Sequence, residues 1–461
     1  MIFNSITYAI FLPAVFIIYW YLLRSRLKLQ NGFLLAASYF FYCCWDWKFL
    51  GLLIFTTLTT FFTALLIEKT DNKKFWLVAN ITANLAVLGT FKYLNFFLEN
   101  AINLLENIGF HIADHSLLNI ILPVGISFYT LQAISYTVDV YKRKICATSD
   151  YIAFSTYIAF FPQLVAGPIE RSVNLLPQIQ KDRVWDYAEA VNGMRQILWG
   201  LFKKVAVADL CGVYVDRILS DVDYYNGSTV FLAIILFCFQ IYGDFSGYSD
   251  MAIGTARLFG IKLSTNFRYP YFAYSIRDFW KRWHISLMTW LRDYVYIPLG
   301  GSRKSKARTY FNIVIVFLIS GLWHGAAWTY ILWGAFWAVA YIAERALTEK
   351  GETKFNVPHY LFTLVAILIS FLIFRANSIE DIANIATHIF TPALLSMPTG
   401  LTPFITIIPM MIIEYAGRHK DSPLENLSLS APVRWLLYTA LTYSIIFAVD
   451  ESSAQFIYFQ F

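Results

Sequence analysis

The chain has 461 residues, is 58% hydrophobic and only 14% charged, and carries a formal net charge of +6. A soluble protein carries roughly 25% charged residues, and a globule of this length must still cover a large surface with polar groups. With a mean hydropathy of +0.54, a soluble enzyme and a disordered chain are both excluded. Hydrophobic segments run almost end to end, so the expectation is one all-α, multi-pass membrane domain over residues 1–461.

The first apolar run lies near 6–23, and the first basic residue, Arg24, follows it. A cleavable signal peptide carries its charge before the apolar run, so this segment is expected to be a retained helix. Further apolar stretches lie near 31–44, 49–67, 75–91, 117–140, 229–242, 310–344, 359–374, 401–415 and 433–449, with a charge-bearing helix at 188–215. A span needs about 20 residues, so several are short or tilted. About 10 to 12 transmembrane helices result.

Arg24, Arg26 and Lys28 follow the first span, Lys69, Lys73 and Lys74 the third, and Lys142, Arg143 and Lys144 the stretch ending near Val140. Arg303, Lys304, Lys306 and Arg308 precede residue 310, and Arg418 and Lys420 follow 415. Connections such as 221–226 and 450–453 are poor in Lys and Arg. The positive-inside rule then places both termini outside and the basic loops in the cytoplasm of a cell-membrane protein. Two stretches break the pattern. Residues 151–170 end in two prolines and a glycine (Pro162, Gly167, Pro168), which stop a continuous helix and suggest a segment that dips in and returns. Residues 262–300 mix charge and aromatics too densely to face lipid, so protein or a water-filled cavity must surround them.

The five cysteines, at 43, 44, 146, 211 and 238, show no CxxC spacing, so neither a disulfide framework nor a zinc site is suggested. His111 and His115 have i, i+4 spacing, but Asn, Gly and Asp nearby favour a solvated loop over a metal site. His324 sits between glycines in ISGLWHGAAW (319–328). From Tyr310 to His324 is about 22 Å of helix, less than the ~30 Å hydrocarbon core. Both ends of 310–350 are basic, so the chain enters and returns, and the imidazole lies at depth. An ionisable group there is a functional candidate; the alternative is a neutral histidine bridging two helices.

His284 lies in SIRDFWKRWHIS (275–286), where a helix puts Trp280 and His284 on one face and Arg277 and Lys281 on another. Arg277, Lys281, Arg282 and Arg292 can cradle a phosphate-bearing donor. Cytoplasmic anchoring, with the rings as an interfacial belt, explains the same residues. In QIYGDFSGYSD (240–250), which closes an apolar run, Asp244 and Asp250 are expected to pair with Arg257, Arg268 or Arg277. GxSxG, GxxxxGK[ST], HExxH and GxGxxG are all absent, which removes support for elbow-type hydrolases, ATPases, zincins and Rossmann oxidoreductases. A deep histidine without an evident nucleophile suits direct transfer, in which a base strips a proton from a hydroxyl attacking an activated acyl group.

At these residues the chain resembles the membrane-bound O-acyltransferase (MBOAT) family, in the bacterial branch that contains the alginate O-acetylation proteins. The matching blocks are Leu122–Tyr129 (LPVGISFY), Phe161–Pro168 (FPQLVAGP), Gln240–Gly254, Ser275–Gly301 with its WLRDYVYIPLGG ending, and Gly321–Gly325 (GLWHG). The resemblance implies a multi-helix fold with re-entrant segments around a central tunnel. It matches His324 to the family's catalytic histidine and His284 to its second functional histidine. Arg277, Lys281, Arg282 and Trp283 become the candidate donor-binding residues. His324 would act as general base, while His284 would orient or polarise the thioester carbonyl or position the donor.

The implied donor is acetyl-CoA or another acyl thioester on the cytoplasmic side, with no permanently bound cofactor and no metal. The implied partners are the lipid bilayer, a polysaccharide acceptor and a separate extracytoplasmic acetyltransferase; no nucleic acid is expected. O-acetylation of an exported or cell-wall polysaccharide is the leading function. D-alanyl transfer to teichoic acid from a carrier protein, or a non-catalytic export transporter or scaffold, are the alternatives.

Overall fold

The computed structural model describes residues 1–24, 26–110, 118, 120–165, 167–348 and 356–449. Among them the regular structure is entirely helical, as a multi-pass membrane protein requires when every backbone group at depth must be satisfied internally. His111 and His115, and the loop at 450–453, lie outside the described residues.

Ser5 accepts a hydrogen bond from the Tyr8 N–H at 3.2 Å and so opens α1 (Ile6–Ile17), which widens into a π-helical turn at Ile18–Leu22. α1 packs inward: Tyr8 Oη lies 2.8 Å from Thr255 Oγ1, and Trp20 Nε1 donates to the Leu258 carbonyl at 2.8 Å. α2 (Leu27–Asp46) and α3 (Leu50–Lys69) are one apolar stretch split by a tight turn at Trp47–Phe49. α4 (Lys73–Leu88) runs through a π-helical turn at Gly89–Tyr93 into α5 (Leu94–Asn107). Pro123 and the left-handed Gly125 (φ 75°) delay α6 to Ile126–Tyr141, so the span expected from 117 starts late.

The stretch 151–170, where a dip was expected, is built from two short helices, α7 (Tyr151–Ala159) and α8 (Phe161–Leu164), and α9 (Ser172–Ile179) follows it. Its irregular backbone is satisfied by protein. The Phe161 N–H donates to Ser38 Oγ at 3.0 Å, and Gln163 Nε2 donates to the Tyr157 carbonyl at 2.6 Å.

α10 (Tyr187–Leu201) continues through a π-helical stretch, Phe202–Asp209, into α11 (Leu210–Leu219). Beside it stands α12 (Gly227–Leu258), a 32-residue helix about 48 Å long. The sequence suggested that an apolar run stopped near Tyr242 and that a polar segment followed. Instead one helix carries both. Glycines at the crossing make this possible: a Cβ on Gly200 would reach 2.5 Å from the Gly247 carbonyl oxygen, and one on Gly193 would reach 2.7 Å from that of Gly254. Such small-residue contacts let two backbones meet inside a membrane.

The charge-dense stretch that follows folds as α13 (Ile276–Arg282) and α14 (Ile285–Leu291), the latter extended by a π-helical turn at Arg292–Tyr296. α15 (Lys306–His324) and α16 (Trp328–Leu347) form an antiparallel hairpin, so the chain does enter and return. α17 (Val357–Arg375), the amphipathic α18 (Ile379–Ile389), α19 (Phe404–Gly417) and α20 (Ala431–Ala448) complete the described fold.

By length and composition, five helical stretches among the described residues can cross a membrane: Leu27–Lys69, Lys73–Asn107, Gly227–Leu258, Lys306–His324 and Val357–Arg375. Leu27–Lys69 holds two helices, α2 and α3, and the rest of the distance from five to the expected 10 to 12 lies partly in shorter apolar helices, Ile6–Leu22 and Phe404–Gly417, and in α16. It also lies in α10–α11, which carries buried charge.

Candidate active site

His324 is the last residue of α15, about 27 Å along the helix from Lys306. Gly325 turns the chain out with an extended backbone, and α16 then returns beside α15. The two helices touch through glycines. A Cβ on Gly321 would overlap the Tyr330 carbonyl oxygen, and one on Gly334 would overlap that of Phe317. This close approach seats the His324 ring, 4% exposed, between Trp333 and Phe374, with ring centroids 5.0 and 5.4 Å away. The end of α15 is held from the α4–α5 turn. Lys92 Nζ donates to the carbonyls of Trp323 and His324, and Tyr93 Oη donates to that of Leu322 at 2.8 Å.

His284 occupies the joint between α13 and α14 in the left-handed region (φ 44°, ψ 51°). That conformation costs a non-glycine residue about 1–2 kcal/mol, and the surroundings enforce it. Arg268 N–H donates to the Arg282 carbonyl and Ile285 N–H to the Asn266 carbonyl, both at 2.9 Å, so residues 266–268 clamp the joint. The His284 ring is buried against Phe245 of α12 at 4.7 Å, and Asn266 Oδ1 lies 3.1 Å from Nδ1. Burial disfavours the charged form and pushes the imidazole down to about 3. Its centroid lies 6.5 Å from that of His324, with Trp323 beside both rings. The structure therefore brings together two histidines that stand 40 positions apart in the sequence.

A cavity of about 540 Å³ opens between α13, α14, α15 and α16. Arg277, Lys281, Arg292 and Arg345 line it together with Tyr296, Tyr341 and Met288, while Trp280 and Phe317 form part of its wall. Trp280 packs on Trp333 at 6.0 Å, and Trp333 is the ring against His324. Two indoles in series, Trp280 and Trp333, thus lie between this cationic cavity and His324. A cavity of about 40 Å³ lies near the end of α15, lined by Lys92, Pro123, Gly125, Ser127 and Trp323 among others.

The four residues picked out for donor binding divide. Arg277 and Lys281 line the cavity. Arg277 is fixed there by Thr348 Oγ1 at 2.6 Å and by Glu344 at 3.6 Å, whose carboxylate also accepts the N–H groups of Ile276 and Arg277. Arg282 turns to Asp278 at 2.8 Å, and Trp283 stacks on Phe279 at 5.5 Å. Three positions that sequence reasoning left out of the site join it: Lys92, Asn266 and Arg345. A lysine closing an apolar run and an arginine closing a helix read as membrane anchors, and an isolated asparagine carries no spacing signal.

Asp244 and Asp250 do not pair with the arginines expected. Lys203 Nζ lies 2.5 Å from Asp250 and Lys204 Nζ 2.8 Å from Asp244, with Asp209 at 2.7 Å from Lys204. Arg257 goes to Glu425, Arg268 to Asp421 and Arg277 to Glu344. The reason is geometric. The π-helical stretch places both lysines against the glycine-lined face of α12, whereas Arg257, Arg268 and Arg277 lie nearer the helix ends and loops.

Residues 41–355 match the model of the membrane-bound O-acyltransferase family, MBOAT. The probable alginate O-acetylase AlgI of Pseudomonas putida is 34% identical, with the match covering all of both chains. A second probable alginate O-acetylase AlgI, from Azotobacter vinelandii, is 37% identical over 82% of this chain and 76% of its own. The peptidoglycan O-acetyltransferase of Helicobacter pylori is 36% identical over 80% of this chain and 76% of its own.

Proposed function

The chain belongs to the membrane-bound O-acyltransferase family, and on that premise we propose that it moves an acetyl group from a cytoplasmic thioester across the membrane, by His-assisted transfer to an acceptor hydroxyl, for O-acetylation of an exported or cell-wall polysaccharide. The observation that carries this reading is the buried His284–His324 pair, ring centroids 6.5 Å apart, with Trp333 and Trp280 between His324 and a cavity lined by four cations. The cations suit the phosphates of a donor such as acetyl-CoA. The cavity lies near the Lys- and Arg-rich start of α15, the end that the positive-inside rule assigns to the cytoplasm of the cell membrane, with both termini outside.

In the proposed step, neutral His324 takes the proton of the acceptor hydroxyl as its oxygen attacks the acyl carbon. The C–O ester bond forms, the C–S bond breaks, and the departing thiolate takes up the proton from the imidazolium. His324 is neutral again at the end. Relatives named for alginate and for peptidoglycan O-acetylation support a polysaccharide as the final acceptor. A separate extracytoplasmic acetyltransferase would complete the delivery.

The test is reconstitution of the purified protein in vesicles with labelled acetyl-CoA, beside His324→Ala. Thioester loss and label transfer that depend on His324 are expected. Full activity in His324→Ala overturns the base assignment. Turnover only with a carrier-bound D-alanyl thioester replaces the donor and the product, and polymer passage without any thioester cleavage replaces the enzyme reading by an export scaffold.

A further inference from the structure

A neutral imidazole has one N–H and one bare nitrogen, and its neighbours decide which is which. At His284 the neighbours leave one answer. Nδ1 lies 3.1 Å from Oδ1 of Asn266. The orientation of that amide is set independently: the backbone N–H of Ser286 donates to the same Oδ1 at 3.3 Å, and Asn266 Nδ2 donates to Ser249 Oγ at 3.1 Å. Turned over, the amide would set its NH2 against the Ser286 N–H, donor against donor. Ser286 Oγ accepts from the Ile169 N–H at 3.0 Å and sends its own proton to Asn266 Oδ1 at 2.8 Å. An amide oxygen can only accept, so Nδ1 of His284 carries the proton.

Nε2 then carries the lone pair, and it is buried with no hydrogen-bond partner among the described residues. An unsatisfied buried acceptor is costly unless a donor arrives. The rings around it are Phe245, Phe267, Trp323 and His324.

We propose that Asn266 is a positioning residue that locks His284 in the Nδ1–H tautomer, so that Nε2 accepts a hydrogen bond from an O–H or N–H group of a bound substrate and does not donate one to the thioester carbonyl. This rests on the acyl-transfer reading of the histidine pair. Of the two roles open to His284, polarising the carbonyl needs a proton on Nε2, and the Asn266 network keeps it on Nδ1. Orientation remains: the bare nitrogen fixes either an acceptor hydroxyl or the amide N–H of the donor arm.

The experiment combines a structural and a kinetic readout on the full chain in vesicles. Nitrogen NMR of histidine-labelled protein, with the His284 signals identified by their loss in His284→Gln, reports the tautomer without any turnover. Protonated Nδ1 and bare Nε2 are expected in the wild type and in Asn266→Asp; a protonated Nε2 in the wild type overturns the proposal. If the tautomer is as expected but the wild type transfers no acyl group from any thioester, the proposed function has failed and the Asn266 lock has not.

In the kinetic arm, Asn266→Leu removes the accepting oxygen. It should lower kcat by about 10²-fold or more, with KM changed less than about threefold. Because that side chain is fully buried, the isosteric Asn266→Asp supplies the second reading. It keeps an acceptor for Nδ1–H, holds kcat within about tenfold at high pH, and moves the acid limb of the pH profile upward, because a carboxylate favours the imidazolium. The other titratable groups at the site, His324 on α15 and Lys92 on the α4–α5 turn, are unchanged in both variants. A purely structural asparagine would instead lower the yield of folded protein and leave the acid limb in place, and that result overturns the proposal. In His284→Gln, a loss falling on kcat/KM for the acceptor identifies the hydroxyl as the bound donor group, and a loss falling on that for the thioester identifies the amide.

Discussion

Lys92 and His324 are joined at the helix end: Lys92 Nζ donates to the carbonyls of Trp323 and His324 at 2.7 and 2.9 Å. A helix C-terminus exposes carbonyls without intrahelical partners, and a cation there satisfies them and complements the helix dipole. The lysine thus fixes the point at which α15 stops, and the stop determines where the His324 ring sits.

Lys92→Met keeps the length of the side chain and removes both bonds. It should cost about 2 kcal/mol of stability and lower acyl transfer further than that loss alone explains, because His324 then loses its fixed backbone. Thermal unfolding and turnover of the variant, measured in the same membrane mimic, check this. A lysine that only anchored the chain at the lipid boundary would leave turnover intact.

The cationic cavity makes a prediction about donors. Lys281 lines it on α13, and phosphate groups are the ligand chemistry that its ammonium suits. Lys281→Ala should raise KM for acetyl-CoA about tenfold, the loss of one charge-assisted contact. It should leave KM unchanged for a short acetyl thioester that lacks phosphates. Equal effects on both donors would remove the phosphate assignment. Arg277 is the poorer choice for this test, because Glu344, which it partners, also caps α13 through two backbone N–H groups at 3.0 Å.

The glycines of the α15–α16 hairpin separate packing from backbone freedom. A Cβ at Gly321 would overlap the Tyr330 carbonyl, whereas a Cβ at Gly51 would meet nothing within 4 Å. Gly321→Ala must therefore push the hairpin apart, three residues from His324, at about 1–3 kcal/mol. Gly51→Ala, inside α3, should be neutral or stabilising by up to about 1 kcal/mol. Unfolding temperatures of the two variants, with turnover alongside, test the pair. Equal behaviour would mean that the hairpin contact does not hold the site.

Much of this architecture is legible in the sequence because a membrane leaves few choices. Apolar runs became α1–α4, α15, α17, α19 and α20, and the proline-rich end of 151–170 interrupts the helix there. GLWHG placed His324 at the turn of a hairpin, where both basic flanks required one. Long-range pairing was not legible. Asp244 and Asp250 look like natural partners for arginines, but the widened turns at Phe202–Asp209 bring Lys203 and Lys204 to them. A π-helical stretch has no clear sequence signature. The His284–Asn266 contact was hidden for a related reason: it depends on a left-handed backbone at a histidine and on a clamp made by loop residues 266–268.

Glu170, in the loop before α9, carries the pH dependence that the structure makes most explicit. Its carboxylate is 1% exposed; it accepts from the Ser264 N–H and, at 3.1 Å, from Ser264 Oγ. Burial outweighs these bonds and pushes it up from 4.5 to about 7. The folded state therefore binds this proton more tightly than the unfolded state. Its contribution to stability is greatest below pH 4.5, falls as the pH rises toward 7, and is fully unfavourable above that. A shift of this size corresponds to roughly 3 kcal/mol. Glu170→Gln keeps an accepting oxygen for the Ser264 N–H and offers its amide N–H to the hydroxyl, without a charge to bury. Its stability advantage over the wild type should be small near pH 5 and grow toward pH 8. Unfolding temperatures at those two values decide the matter: an advantage that shrinks as the pH rises would mean that Glu170 is held ionised by a partner such as Arg171.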